Sequence, residues 1–456
     1  MRQARATKGG SDVVAIQGLI ERLQRDYAAR RPRSRALYSR ALERLPGGNS
    51  RTQLYFYPFP FYASNASGAQ LTDVDGLTYL DFVNNYTSLV HGHRGHDLAD
   101  MLAPHVSRGT AFGAPTELEL DLADEICSRV TSVEQIRFAN SGTEATLYAL
   151  QTARAFTGRD IIVKVEGGYH GGHDSVQVSV RRWSNDGLGI PEVGVSSAMR
   201  RQTHVIPFND VDAASRKLRS LGNEVAAVIV EPVMGAAGAI PATQAFLTEL
   251  RLLTEEVGAL LIFDEVLTLR LAYGGAQELY NVQPDLTAMG KIIGGGFPIG
   301  AFGGRAEIME VSDPRRAGML SHSGTFNGNP IAMAAGLFAL HELTRDRIVD
   351  INARGERMRR HVSKAAAEAN VAITASGLGS LLQLHGGTEP PHDFRDALSR
   401  PRELVQAAFW ILLAEGVFTT PGRTSLNVST AVGDVDQARV HAALERVMEE
   451  LGSAVG

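Results

Sequence analysis

The sequence predicts an α/β protein: a large domain on a mostly parallel central sheet flanked by helices, plus a smaller α+β domain from the N- and C-terminal segments. Three observations support this. The chain has 456 residues, more than one hydrophobic core usually serves. Its middle alternates short apolar runs (IRFAN, IIVKVEGG, VAAVIVEP, ALLIFDE, PIGAFGG) with helical stretches such as 143–157 and 243–257. Apolar runs without two-residue alternation suit strands buried on both faces. After Pro330 the texture changes to long amphipathic helices over 331–345, 350–369 and 401–416.

In chain order, residues 1–10 are polar and basic and are expected to be unstructured. No apolar stretch follows MRQARATKGG, so it does not read as a secretory signal. Asp12 to Leu45 shows a helical pattern, with Ile16, Leu19, Ile20 and Leu23 on one stripe, and Pro46-Gly47-Gly48-Asn49 breaks it. LYFYPFPFYASNASG and AQLTDVDGLTYLDFV read as strand-like, with Asp75-Gly76 as a hairpin turn. The expected division is an N-terminal segment 1–71 belonging to the small domain, a large domain 72–330, and a C-terminal small domain 331–456.

Hydrophobic residues make up 44% and charged residues 21%, ordinary for a globular chain. A net charge of -5, spread over the whole length, argues against nucleic acid as a partner. No apolar run approaches the roughly 18 residues of a membrane span. The single cysteine, Cys127, excludes an internal disulfide framework and is expected as a buried thiol on an amphipathic helix. A cytoplasmic protein acting on small molecules is the expectation. Only Lys8, Lys164, Lys217, Lys291 and Lys364 carry a primary amine on a side chain.

Ligands of open parallel sheets bind at the carboxyl ends of the strands, and four features fall there. Asn140-Ser141-Gly142-Thr143-Glu144-Ala145 follows IRFA and opens a helix, which suits either an anion at the helix end or a plain N-cap. Gly167-Gly168-Tyr169-His170-Gly171-Gly172 holds an aromatic ring in an open loop, available for stacking or simply a glycine turn. Asp264, in Phe263-Asp264-Glu265, ends a buried strand and needs a partner there. A protonated pyridine nitrogen would serve, as would a metal or a helix N-terminus. Lys291 precedes a glycine run after PDLTAMG, where desolvation would make its amine nucleophilic. Together these supply an anion cradle, a stacking ring, a nitrogen partner and an imine-forming amine, the parts that pyridoxal 5'-phosphate requires.

With NSGTEA, GGYHGGHD, EPVMGAAG, LIFDEV, PDLTAMGKIIGGGFPIGAFGG and SGTFNGNPIAMAAG in view, the chain resembles the class III aminotransferases of PLP fold type I. The resemblance runs from about Ser34 to about Val447. It is greatest to the glutamate-1-semialdehyde 2,1-aminomutases and the β-amino-acid (β-phenylalanine type) aminotransferases. It implies that Lys291 holds the cofactor as a Schiff base and Asp264 pairs with the pyridine nitrogen. Tyr169 would stack on the ring, and Ser141, Gly142 and Thr143 would hold the phosphate. Thr325 would reach the phosphate of the neighbouring subunit, which implies a homodimer with shared sites. Glu231, in the EPV motif, would lie near the cofactor.

A substrate carboxylate suits the planar fork of arginine. Arg51 follows Pro46-Gly47-Gly48-Asn49-Ser50, similar to a carboxylate-binding segment of both relatives. Arg423, in TTPGRTSLN, lies where the β-amino-acid enzymes carry a second arginine; Arg305 reads as structural. Two departures separate the chain from the aminomutases. LTLRLAYGG stands where they have MTGFR, and TTPGRTSL replaces their PPSxFE stretch. The expected activity is therefore transfer of an amino group from a β-amino acid or related ω-amine donor to a 2-oxo acid. An aminomutase is the alternative, and an isomerase or racemase comes third. A dinucleotide oxidoreductase is disfavoured, because GKIIGGG lacks the required glycine spacing. The aromatic residues from Tyr55 to Tyr62 suit either an aryl side chain of the substrate or the core of the small domain.

Overall fold

The structure is a computed structural model, and it describes residues 9–183 and 189–455. A seven-stranded sheet runs in the order Gln135–Ala139, Gly300–Gly304, Leu286–Gly290, Leu260–Asp264, Val225–Val230, Ile161–Val165, Thr203–Ile206. Leu286–Gly290, Leu260–Asp264, Val225–Val230, Ile161–Val165 and Thr203–Ile206 pair in parallel. Gly300–Gly304 is antiparallel to both of its neighbours. The connection 291–299 explains this, being too short for the crossover of a dozen or more residues that a parallel strand requires. Val225–Val230 is buried at every position, as expected for a strand covered on both faces. Thr203–Ile206 is a strand that the sequence pattern did not reveal.

The helix expected from Asp12 to Leu45 is two helices, Gly9–Ala29 and Pro32–Leu42. Pro32 starts the second, since a proline is well placed in a first turn and poorly placed inside a helix. Of the unstructured tail expected over residues 1–10, residues 1–8 lie outside the described residues, and Gly9 and Gly10 open the first helix. The Asp75-Gly76 turn joins the antiparallel strands Gln70–Asp73 and Thr78–Asp81, with Gly76 at φ 88°. LYFYPFPFYASNASG is strand only at its end, Ala63–Ser67.

Phe56, Phe59 and Phe61 before that strand build core rather than sheet, while Tyr55 and Tyr57 stay exposed. Tyr27 meets Trp410 edge-on at 5.3 Å between ring centroids, Phe56 meets Phe409 at 5.5 Å, and Phe61 meets Phe418 at 4.8 Å. The two ends of the chain thus share one core, and Val417–Phe418 pairs in parallel with Thr78–Asp81. Ile373–Leu378, Leu381–Gly386 and Ser425–Asn427 form a separate antiparallel sheet. We propose the division 1–71, 72–330 and 331–456 as domain boundaries, with Thr78–Asp81 reaching across the first. Cys127 is half-buried at the edge of its helix's apolar stripe. No helix among the described residues is long and apolar enough to cross a membrane.

Candidate active site

The strands Gln135–Ala139, Ile161–Val165, Val225–Val230, Leu260–Asp264 and Leu286–Gly290 deliver their following residues to one edge of the sheet. The helix Gly142–Thr157 begins there with Ser141 as N-cap, its Oγ accepting from the Glu144 N–H at 3.2 Å. Glu144 reaches back to accept from the Asn140 N–H at 2.7 Å. This reciprocal cap and an exposed helix start coexist, because the N–H groups of Gly142 and Thr143 remain at the positive end of the helix. Gly171 packs directly on this turn. At φ 99° a Cβ there would lie 2.6 Å from Thr143 Cα, so only glycine fits. On the other side, a Cβ on Gly142 would stand 3.0 Å from Val266, and one on Gly290 3.6 Å from Gly142 Cα. The motifs around residues 141, 171, 264 and 290 therefore converge.

Asp264 is buried, and its Oδ2 lies 2.8 Å from His170 Nδ1. An ionised carboxylate only accepts, which places the ring hydrogen on Nδ1. Asp264 Oδ1 accepts from the Val266 N–H at 3.1 Å. Among the described residues no cluster of three or more His, Cys, Asp or Glu side chains is arranged to hold a metal ion. The adjacent Glu265 faces away into the fold, accepting from Thr268 Oγ1 and from the N–H groups of Ala276 at 3.0 Å and Gln277 at 2.9 Å.

Lys291 sits directly after Leu286–Gly290, with φ 50° in the left-handed region that side-chain-bearing residues avoid. Burial pushes its amine below the ordinary lysine pKa; Asp264 and Glu231 oppose that shift and Arg270 adds to it. Lys164, the other candidate amine, is fully buried in Ile161–Val165 and donates to the carbonyls of Gly168 and Val178, each at 2.8 Å. Tyr169 projects from its glycine loop with 42% of its surface exposed. Glu231 accepts from the backbone N–H groups of Tyr169 at 2.8 Å and Gly235 at 3.0 Å.

Arg51 meets a turn that the sequence reading passed over. Asn84, Asn85, Tyr86 and Thr87 all have positive φ, at 48°, 46°, 56° and 74°. Such a run costs roughly 1–2 kcal/mol per residue, which marks the turn as held for a purpose. The paired asparagines were the available signal, since Asn tolerates this region best. The turn anchors Tyr86 through its hydroxyl to the Gln53 carbonyl at 2.8 Å. The Arg51 guanidinium lies 5.4 Å from the Tyr86 ring centroid and donates to Asn85 Oδ1 at 2.8 Å. Burial lowers the pKa of Arg423, whose charge is felt by both Tyr86 and Tyr169. Among the described residues no carboxylate pairs with Arg51 or Arg423, whereas Arg305 pairs with Asp285 and Glu307. Arg423, Tyr169 and Arg181 line a cavity of about 540 Å³. Thr325 is exposed, two residues before Asn327, whose Oδ1 accepts from Asn140 Nδ2 at 2.8 Å.

Pyridoxal 5'-phosphate fits this donor set. The helix start and its small residues suit a phosphate, Asp264 suits a pyridinium, Tyr169 offers a ring face, and the desolvated Lys291 suits a carbonyl.

Comparison with known proteins agrees. A family profile described as "Aminotransferase class-III" matches residues 56–428. Glutamate-1-semialdehyde 2,1-aminomutase of Methanothrix thermoacetophila is 42% identical over 88% of this chain and 92% of its own length. The structure of an ω-transaminase from Sphaerobacter thermophilus is similar at TM-score 0.89 and 40% identity, covering 93% of this chain and 99% of that one. A β-phenylalanine aminotransferase from Variovorax paradoxus is similar at TM-score 0.87 and 37% identity, covering 94% and 97%. The strand-end constellation and these likenesses lead to one conclusion: the chain belongs to the class III aminotransferase family.

Proposed function

We propose that the chain is a transaminase, moving an amino group from a β-amino acid or related ω-amine donor to a 2-oxo acid. Its cofactor is pyridoxal 5'-phosphate, as in the family. When bound, that group supplies a reactive carbonyl and an electron-withdrawing ring. Ser141, Gly142 and Thr143 would hold its phosphate, Asp264 its ring nitrogen and Tyr169 its face. Lys291 would hold it covalently. Desolvation disfavours the charged form of the amine, so Lys291 Nζ is suited to accept the proton from the substrate carbon and deliver it onward. Glu231 acts one step away, through the Tyr169 loop. Thr325 would complete the phosphate site of a second copy in a homodimer.

The observation that carries the transaminase reading is that Arg51, set against the Tyr86 ring, and Arg423, lining the cavity beside Tyr169, are both without an ion-pair partner among the described residues. Two such cations suit two carboxylated substrates taken in turn. The similarity to the Variovorax enzyme supports a β-amino acid as donor. The aminomutase reading is favoured by the name of the Methanothrix relative. A panel of α- and β-amino donors with pyruvate or 2-oxoglutarate, alongside glutamate 1-semialdehyde alone, separates the two. Amino acid formed from an added oxo acid supports the transaminase. Conversion of the semialdehyde with no acceptor, and no transfer otherwise, establishes the aminomutase.

A further inference from the structure

Lys164 is the most deeply buried amine in the site region, at 0% exposure in the interior of the sheet. Placing an ammonium there is costly, and burial pushes its pKa down to about 7. A methionine would fill similar volume without that penalty, so the amine must be tied to something that apolar packing cannot do.

Its two contacts show what that is. Nζ donates to the Gly168 carbonyl and to the Val178 carbonyl, each at 2.8 Å. The Gly168 carbonyl and the Tyr169 N–H are the two ends of one planar peptide group. The Tyr169 end donates to Glu231 Oε1 at 2.8 Å. One peptide is therefore gripped at its oxygen by Lys164 and at its nitrogen by Glu231, and a plane held at both ends cannot flip. The loop around it has freedom to lose, since Gly167 and Gly171 sit at φ 76° and 99°. The second Lys164 contact ties in the far side of the same loop, where Ser179 accepts from the Gly167 N–H at 2.8 Å.

We propose that Lys164 is a positioning residue for Tyr169: with Glu231 it clamps the Gly168–Tyr169 peptide and so fixes where the ring is presented to the cofactor. This rests on the reading in which Tyr169 stacks on pyridoxal 5'-phosphate.

A double-mutant cycle on cofactor binding tests it. Lys164→Met is expected to raise the equilibrium dissociation constant of pyridoxal 5'-phosphate about tenfold in the Tyr169 background, and to alter the visible circular dichroism of the holoenzyme. In a Tyr169→Ala background the same substitution should change neither. Equal losses in both backgrounds would overturn the clamp, because a purely structural lysine acts without regard to the ring. No loss in either would overturn it too. Glu231→Met, which removes the acceptor at the other end of the peptide, should give the same non-additive pattern, and it decides the matter if Lys164→Met does not fold. The Tyr169→Ala variant alone keeps the two ideas apart. Weaker cofactor binding in that variant together with an additive cycle rejects the clamp alone, whereas unchanged binding and unchanged circular dichroism in that variant reject the underlying reading.

Discussion

His170 Nδ1 donates to Asp264 Oδ2 across 2.8 Å, with both side chains buried at the end of the Leu260–Asp264 strand. A second interaction, from the Val266 N–H to Oδ1, fixes the other carboxylate oxygen. Asp264 is thus locked in rotation, which is what a partner for a ring nitrogen needs.

Asp264→Asn keeps the size and removes the charge. Turnover is expected to fall about a hundredfold to a thousandfold with only modest loss of bound cofactor. Steady-state kinetics on the reconstituted variant checks this, and rates near those of wild type would assign the carboxylate another part.

Lys291 and Lys164 are the two candidate amines for the covalent link to the cofactor. Borohydride treatment of the yellow holoenzyme, followed by peptide mapping, is expected to place the adduct on Lys291. Lys164 already has two carbonyl acceptors to satisfy it, and Lys291 is the one carried on a strained left-handed backbone. Lys291→Ala should abolish turnover yet still bind the cofactor noncovalently. A label on Lys164 would reverse the assignment.

What the sequence made legible follows from local physics. Strands buried on both faces appear as apolar runs, and a charged residue at their ends needs a partner, so Asp264 and Lys291 stood out. The contacts that organise them did not, because they join distant segments: His170 to Asp264 across 94 positions, Lys164 to a loop that returns past Val178. The Asn84–Thr87 turn was hidden for another reason. Thr87 is β-branched and Tyr86 bulky, so propensity argues against the conformation the tertiary structure imposes. Leu54–Tyr62 misled because aromatic residues favour both strands and cores, and here packing on Tyr27 and Trp410 decides.

Acid should destabilise the fold in a defined window. Burial holds His91 and His385 neutral, pushing each down to about 4 from 6.5. Between those values the unfolded chain binds protons that the folded chain does not, so stability rises with pH there and is lost as pH falls. Each group contributes a slope of about 1.4 kcal/mol per pH unit within the window. Calorimetry from pH 7 to pH 4.5 should show Tm falling below about pH 6. His91→Asn should flatten the decline, and a variant profile parallel to that of wild type would remove His91 from the cause.

The last prediction concerns Arg51 and Arg423, whose charges both act on Tyr86. If Arg51 receives a substrate carboxylate, Arg51→Ala should raise KM for carboxylated donors roughly tenfold to a hundredfold, the equivalent of about 1.5–3 kcal/mol for a charged bidentate contact. Arg51→Lys should recover only part, because an ammonium cannot present the same fork. Amine donors without a carboxylate should be nearly unaffected, which distinguishes binding from damage to the fold. Arg423→Ala should act mainly on the partner substrate, raising KM for the oxo acid while sparing the donor, since its guanidinium is withdrawn toward Tyr169 and the cavity rather than exposed beside Asn85. Equal losses for carboxylated and uncarboxylated donors in the Arg51 variant would make that residue structural, holding the left-handed turn through Asn85. In that case both carboxylates would have to use Arg423, and the two substrates would compete with equal loss in its alanine variant.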